Sequence, residues 1–164
     1  MKKLTVKDID VTGKRVFVRV DFNVPFNEKT GKITDDSRIR ASLLTIRYLI
    51  DHKARIILCS HLGRPDGKVV EGLRMAPIAQ RLSQILGQAV STTGDCIGEE
   101  VEKAVASLKE GQVLMLENVR FHPEEEKNDP GFAQSIVDAT AGEIFVQDGF
   151  GVVHRAHATT DAIA

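Results

Sequence analysis

A chain of 164 residues, 42% of them hydrophobic and 27% charged, is long enough for one domain with a proper core. Its charges nearly cancel, at −1, so no overall field draws it to nucleic acid or to an anionic membrane, and any anion site must come from a local cluster of Arg, Lys and His. No apolar run approaches the ~20 residues that span a bilayer. The start of the chain lacks the apolar stretch of a secretory signal, and two cysteines, Cys59 and Cys96, make no disulfide framework, so a reduced, cytoplasmic setting is expected.

In chain order, the first β-prone run is 15–20 (RVFVRV). A helix is predicted over 36–51, where Ile39, Leu43, Ile46 and Ile50 share one face and Thr34, Asp35 and Asp36 offer caps. A second strand follows at 55–60 (RIILCS). A helix at 76–86 places Ile78, Leu82, Ile85 and Leu86 on one side, with Gly87 as its stop. Then come a weak strand at 88–92, a helix at 99–109 carrying Val101, Val105 and Leu108, and a strand at 112–116. Asp129 as N-cap and Pro130 at the first helical position open the last helix, with Phe132, Ile136, Val137 and Ala139 as its apolar face. A strand at 143–147 closes the pattern. The strands are short, continuous apolar runs separated by helices, as strands buried on both faces are. The expected fold is a single α/β domain over 1–164: a doubly wound, Rossmann-like parallel sheet in three α/β/α layers.

Such sheets bind ligands beyond the carboxyl ends of their strands. The exits here are Asp21-Phe22-Asn23-Val24-Pro25, His61-Leu62-Gly63-Arg64-Pro65, Glu117-Asn118-Val119-Arg120-Phe121-His122, and Asp148-Gly149 running on to His154-Arg155-Ala156-His157; the third exit, Gly94-Asp95-Cys96, is bland. Three exits deliver an Arg near a strand end. Arg forks onto phosphate and carboxylate, and unmatched converging arginines make sense when a multiply charged small anion binds. The plainer alternative is surface arginines paired with Glu117, Asp148 or solvent. Arg38 lies in the first turn of a helix, where a cation opposes the dipole, unless Asp35 and Asp36 offset it. Gly63 allows close backbone approach. Gly149 and Gly151 begin a dinucleotide fingerprint that lacks its third glycine, and 63–69 imitates a P-loop with wrong spacing, so no nucleotide site is legible. Cys59 reads as a core thiol, no metal site is expected, and 124–127 (EEEK) reads as a solvated turn.

Five stretches, taken together, resemble the phosphoglycerate kinase family: Val18–Pro25, Ile33–Ile39, Ser60–Pro65, Leu116–Asn128 and His154–Ala158. They keep the family's order over essentially the whole chain. The resemblance implies the same fold and names the anion as 3-phosphoglycerate. It implies substrate binding by Asp21, Phe22 and Asn23, by Arg38, by His61, Leu62, Gly63 and Arg64, and by Arg120, His154 and Arg155. Among these, Asp21 and Asn23 face the glycerate end, while Arg38 lies nearest the transferred phosphoryl group and is the catalytic candidate. The activity implied is reversible phosphoryl transfer between 1,3-bisphosphoglycerate and ADP, in glycolysis. Mg-ATP or Mg-ADP would be held by a C-terminal domain beyond this chain, which is expected to stop before the hinge, to be inactive alone, and to be monomeric with no nucleic acid or membrane partner. Gln147, Gly149, Val152 and Val153 depart from the family's usual residues in the last motif. The alternatives are a non-catalytic phosphate-binding α/β module, such as a truncated paralogue, and a dinucleotide-dependent oxidoreductase, for which the fingerprint is incomplete.

Overall fold

The computed structural model describes residues 4–149 and 155–164. Five strands, β1 (Arg15–Val20), β2 (Arg55–Cys59), β3 (Val90–Thr92), β4 (Val113–Met115) and β5 (Ile144–Asp148), form one sheet in the order β3-β4-β2-β1-β5. Every pairing is parallel. The connecting helices are α1 (Ser37–Ala41), α2 (Leu43–Asp51), α3 (Ala76–Leu86), α4 (Glu99–Ala106) and α5 (Pro130–Thr140).

The period-two alternation of the strands divides the core in two. Val16, Val18 and Val20, Ile56 and Leu58, and Val113 and Met115 pack with Ile39, Ile46, Leu49, Ile78 and Leu82 of α1, α2 and α3. Phe17, Ile57, Cys59 and Leu114 face the other way, onto Val101 and Val105 of α4 and Phe132 and Ile136 of α5. Both faces of the sheet are therefore covered, which is why the strands read as unbroken apolar runs. This is the three-layer α/β/α domain that the sequence predicts.

The local signals hold at several ends. Asp129 Oδ1 accepts the Phe132 N–H at 3.0 Å, with Pro130 at the start of α5. Gly87 ends α3 with φ 71°, a conformation in which a Cβ would be strained. Two expectations need correction. The single helix over 36–51 is broken at Ser42, whose N–H bonds back to Ile39 O in a tighter turn than an α-helix makes. Asp36 sits at the N-cap of α1 but makes no capping bond; its carboxylate takes Arg40 and Arg81 instead. Strand and helix ends elsewhere shift by a few residues, and α4 stops at Ala106 rather than Lys109.

Among the described residues no helix is long and apolar enough to cross a membrane. Cys59 and Cys96 are free and buried, and burial pushes the Cys59 thiol up to about 12.

Candidate functional site

The chain runs from β1 to its neighbour β2, out to β3 at the edge, back to β4, and then across to β5 on the far side of β1. The loops leaving β1, β2, β4 and β5 thus converge beyond the carboxyl edge near the reversal in strand order, where ligands bind in such sheets.

These loops are pinned to one another by buried polar groups. Ser60 Oγ accepts the Phe22 N–H at 3.0 Å and donates to His61 O at 2.8 Å, tying the exits of β1 and β2. Asn23 Oδ1 accepts the Gly63 N–H at 2.8 Å. Gly63 has φ 62°, a backbone conformation that favours glycine, and a Cβ there would lie 2.7 Å from Leu73 Cδ2, so the Leu73 side chain would have to shift. Asn118 is the hub. Its Oδ1 accepts from Leu62 N (3.2 Å) and Arg120 N (3.0 Å), and its Nδ2 donates to Leu62 O (2.8 Å) and Leu73 O (3.0 Å). Arg120 is thereby held on a short turn, Val119–Phe121, only 5% exposed, with one NH donating to Gly63 O at 3.1 Å.

The result is a cleft of about 230 Å³ lined by Asp21, Asn23, Arg38, His61, Gly63, Arg64, Arg120 and Arg155. All eight are residues that the sequence assigns to a site. Phe22 and Leu62 are placed differently. Their side chains belong to the core, and their N–H groups are taken by Ser60 and Asn118. His154, with Val152 and Val153, lies outside the described residues. Gln147 Oε1 accepts the Gly149 N–H at 3.0 Å, so that departure from the family pattern serves the β5 exit itself.

One carboxylate, Asp21, faces four arginines in this cleft. Arg38 reaches Asp21 Oδ1 at 3.3 Å and Asn23 O at 2.9 Å. Neither Asp35 nor Asp36 forms an ion pair with it: Asp35 accepts the Ser37 N–H and feels Arg38 only as a nearby charge, and Asp36 takes Arg40 and Arg81. Glu117 does not neutralise the cleft either, since it accepts from Arg74 at 3.2 Å and from Met75 N and Asn118 N at 2.9 Å each. Arg120 lies 3.5 Å from Glu126, yet its Nε has no hydrogen-bond partner among the described residues. Desolvation lowers the Arg120 pKa, Glu126 opposes that, and Arg155 and Arg19 add to it. Burial and the surrounding arginines push His61 down to about 2. Such a site is organised to receive negative charge.

Sequence reasoning missed the supporting residues. Arg19, Ser60, Asn118, Glu125 and Thr159 are all buried polar groups behind the cleft. Glu125 is not part of a solvated turn as expected; it is fully buried and accepts Thr159 N at 3.1 Å. Arg19 alone carried a signal, as a charge inside an apolar strand.

A second group, Asp95, Cys96 and His122, brings three donor atoms within 4.8 Å of one another. The 2.6 Å between Asp95 Oδ1 and His122 Nε2 marks an ion pair, being well under the ~3.3 Å that separates ligands around one tetrahedral zinc. The hydrogen bond that His122 donates to Asp95 raises the His122 pKa against the effect of burial.

A doubly wound parallel α/β domain with a cationic cleft at its carboxyl edge is the class that the fold and this geometry define. The particular family is settled by sequence: the family model described as phosphoglycerate kinase matches residues 6–164, and the chain belongs to that family. Curated relatives include phosphoglycerate kinases of Moorella thermoacetica, 58% identical, and Pelotomaculum thermopropionicum, 55% identical, each over 164 residues. These alignments cover 100% of this chain and 41% of each relative, so the chain spans about two fifths of their length. The solved phosphoglycerate kinase from Coxiella burnetii superposes with a TM-score of 0.81 at 35% identity, covering 96% of this chain and 38% of that one. The enzyme from Pyrococcus horikoshii gives 0.79 at 32% identity, covering 94% and 38%.

Proposed function

We propose that this chain is the 3-phosphoglycerate-binding part of a phosphoglycerate kinase, which moves a phosphoryl group reversibly between 1,3-bisphosphoglycerate and ADP. The observation that carries this reading is the cleft with four arginines around one carboxylate. Arg64, Arg120 and Arg155, with His61, would grip the substrate's own phosphate, and the family resemblance adds His154, outside the described residues, to that set. Asn23 already accepts from Gly63, which leaves its amide N–H groups to meet the carboxyl end of the glycerate, with Asp21 accepting from its hydroxyl.

The nucleotide and its Mg²⁺ do not fit this cleft. Its one carboxylate, Asp21, is engaged by Arg38 and by the Asn23 N–H at 3.2 Å, and Mg²⁺ requires a set of oxygen ligands. They belong to the remaining length of the full protein, reached past a hinge, and residues 1–164 form the substrate half, inactive by itself. What this half contributes follows from the substrate's chemistry. The accepting carboxylate of 3-phosphoglycerate is ionised at neutral pH, so no base has to remove a proton. The work is to hold that oxygen in line and to neutralise charge on the group in transit. Arg38 would perform the second task, and its bonds to Asp21 Oδ1 and Asn23 O, which hold it in the cleft lining, support that reading. The family's setting in glycolysis, in a cytoplasmic monomer, completes the reading.

In the full-length protein, Arg38→Ala is expected to lower kcat about 10²–10³-fold, with a much smaller change in KM for 3-phosphoglycerate. Equal losses in both would contradict its role in the transfer. A full-length protein that binds 3-phosphoglycerate without turnover would favour a non-catalytic phosphate-binding module.

A further inference from the structure

Arg19 lies at an alternate position of β1, on the same side of the sheet as Phe17, and is 0% exposed. A buried guanidinium is tolerated only when its donors are matched. Its Nε donates to Thr159 Oγ1 at 2.8 Å and one NH donates to Val20 O. The other NH meets His61 Nδ1 at 3.0 Å. Guanidinium only donates, so Nδ1 must accept with its lone pair, and the ring proton then sits on Nε2. His61 is 2% exposed and lines the cleft, so its chemistry is delivered there through that second nitrogen.

We propose that Arg19 is a positioning residue that fixes His61 as a neutral imidazole protonated on Nε2, so that His61 meets an anion in the cleft as a hydrogen-bond donor and not as a further cation. This rests on the reading of the cleft as an anion site. The charges that bear most on the ring favour the neutral form, against the Asp21 carboxylate that lines the same cleft. Arg19 faces it from β1, Arg120 from the turn after β4, and Arg155 and His157 from the segment after β5. A buried acid behind this cluster, Glu125, stands one residue removed from Arg19. Thr159 Oγ1 accepts from Arg19 and donates its own hydrogen bond to Glu125 Oε1. Glu125 thus balances Arg19 through Thr159 without reaching the ring. Burial and the surrounding cations agree with the geometry, holding His61 at about 2.

The direct test is the protonation state of His61 in the ligand-free chain, read from long-range ¹H–¹⁵N correlations of its ring, with the signal assigned by its loss in His61→Gln. The expected result is the Nε2–H form from pH 5 to pH 8 with no titration. An Nδ1–H form, or an imidazolium forming near the ordinary value, would overturn the proposal. Arg19→Met should free Nδ1 and let the ring mix its two neutral forms, while Arg19→Lys, which keeps a donor, should retain Nε2–H. An unchanged ring in Arg19→Met would also overturn it. Should Arg19→Met not fold, the parent and Arg19→Lys spectra still decide. A separate titration is expected to show 3-phosphoglycerate binding Arg19→Met about tenfold more weakly. A parent chain that binds none would remove the anion-site reading and leave the His61 result standing.

Discussion

The arginines outside the cleft and those inside it live in different electrostatic surroundings. Outside, Arg15 pairs with Glu143, Arg40 and Arg81 share Asp36, and Arg74 joins Glu71 and Glu117. Inside, Arg38 alone pairs with Asp21, Arg120 is half matched by Glu126, and Arg64 and Arg155 have no carboxylate within 4.0 Å among the described residues. The same contrast extends to histidine. His122 has Asp95, and its pKa is raised, whereas His61 has Arg19, and its pKa is lowered. The chain has nearly equal numbers of acids and bases, so the imbalance in the cleft is a matter of placement, not of composition. Matched pairs stabilise the fold in the empty state, whereas unmatched cations are stabilised only when an anion arrives.

The comparison can be broken at the scaffold that separates the two sets. Asn118→Ala removes four hydrogen bonds that hold Leu62, Leu73 and Arg120 together. It is expected to cost about 2–3 kcal/mol in urea denaturation, because it leaves buried N–H and C=O groups unpaired. A loss under about 0.5 kcal/mol, the range of ordinary surface changes, would mean that the hub is not a hub.

It can be sharpened by deleting one arginine of each kind. Arg74→Ala leaves the buried Glu117 carboxylate with only its two N–H donors and should destabilise the fold, by more than the loss of Arg64 does. Arg64→Ala should change stability by no more than about 0.5 kcal/mol, and in the stabilising direction if repulsion in the empty cleft matters. The same denaturation experiment measures both, and a larger loss for Arg64→Ala would reverse the contrast.

The smallest effect is the pH dependence of the Asp95–His122 pair. A histidine whose pKa is raised on folding contributes stability that is fully present below its unfolded value, about 6.5, and fades as pH rises through the higher folded value. His122→Ala should therefore lose more stability at pH 5.5 than at pH 9. The partly exposed pair limits the difference to under about 1 kcal/mol. His61 has the opposite sign. With its folded value near 2, stability falls as pH drops below about 6.5, where the unfolded chain takes up a proton that the folded ring refuses.

The parallel sheet was legible because buried strands leave unbroken apolar runs and helices leave a one-sided stripe, and both patterns survive in Val16–Val20 and Ile78–Leu82. The break at Ser42 was not, since nothing in an amphipathic stripe reports a turn tightened by i→i−3 bonding. The cleft-lining residues stood out as Arg, His, Asp and Gly in strand exits. Their supports did not, because a buried polar group is defined by a partner that sequence does not reveal. Arg19 meets Thr159, 140 residues away, and Glu125 hides in what looks like a charged turn.

The cleft's role is tested most directly by calorimetric titration of 3-phosphoglycerate into this chain, with Arg64→Ala beside it and ATP as a second ligand. Saturable binding of 3-phosphoglycerate, weakened about 10–100-fold by Arg64→Ala with the fold intact and with ATP much weaker, is the predicted result. A folded chain that ignores 3-phosphoglycerate, or that prefers ATP, would contradict it.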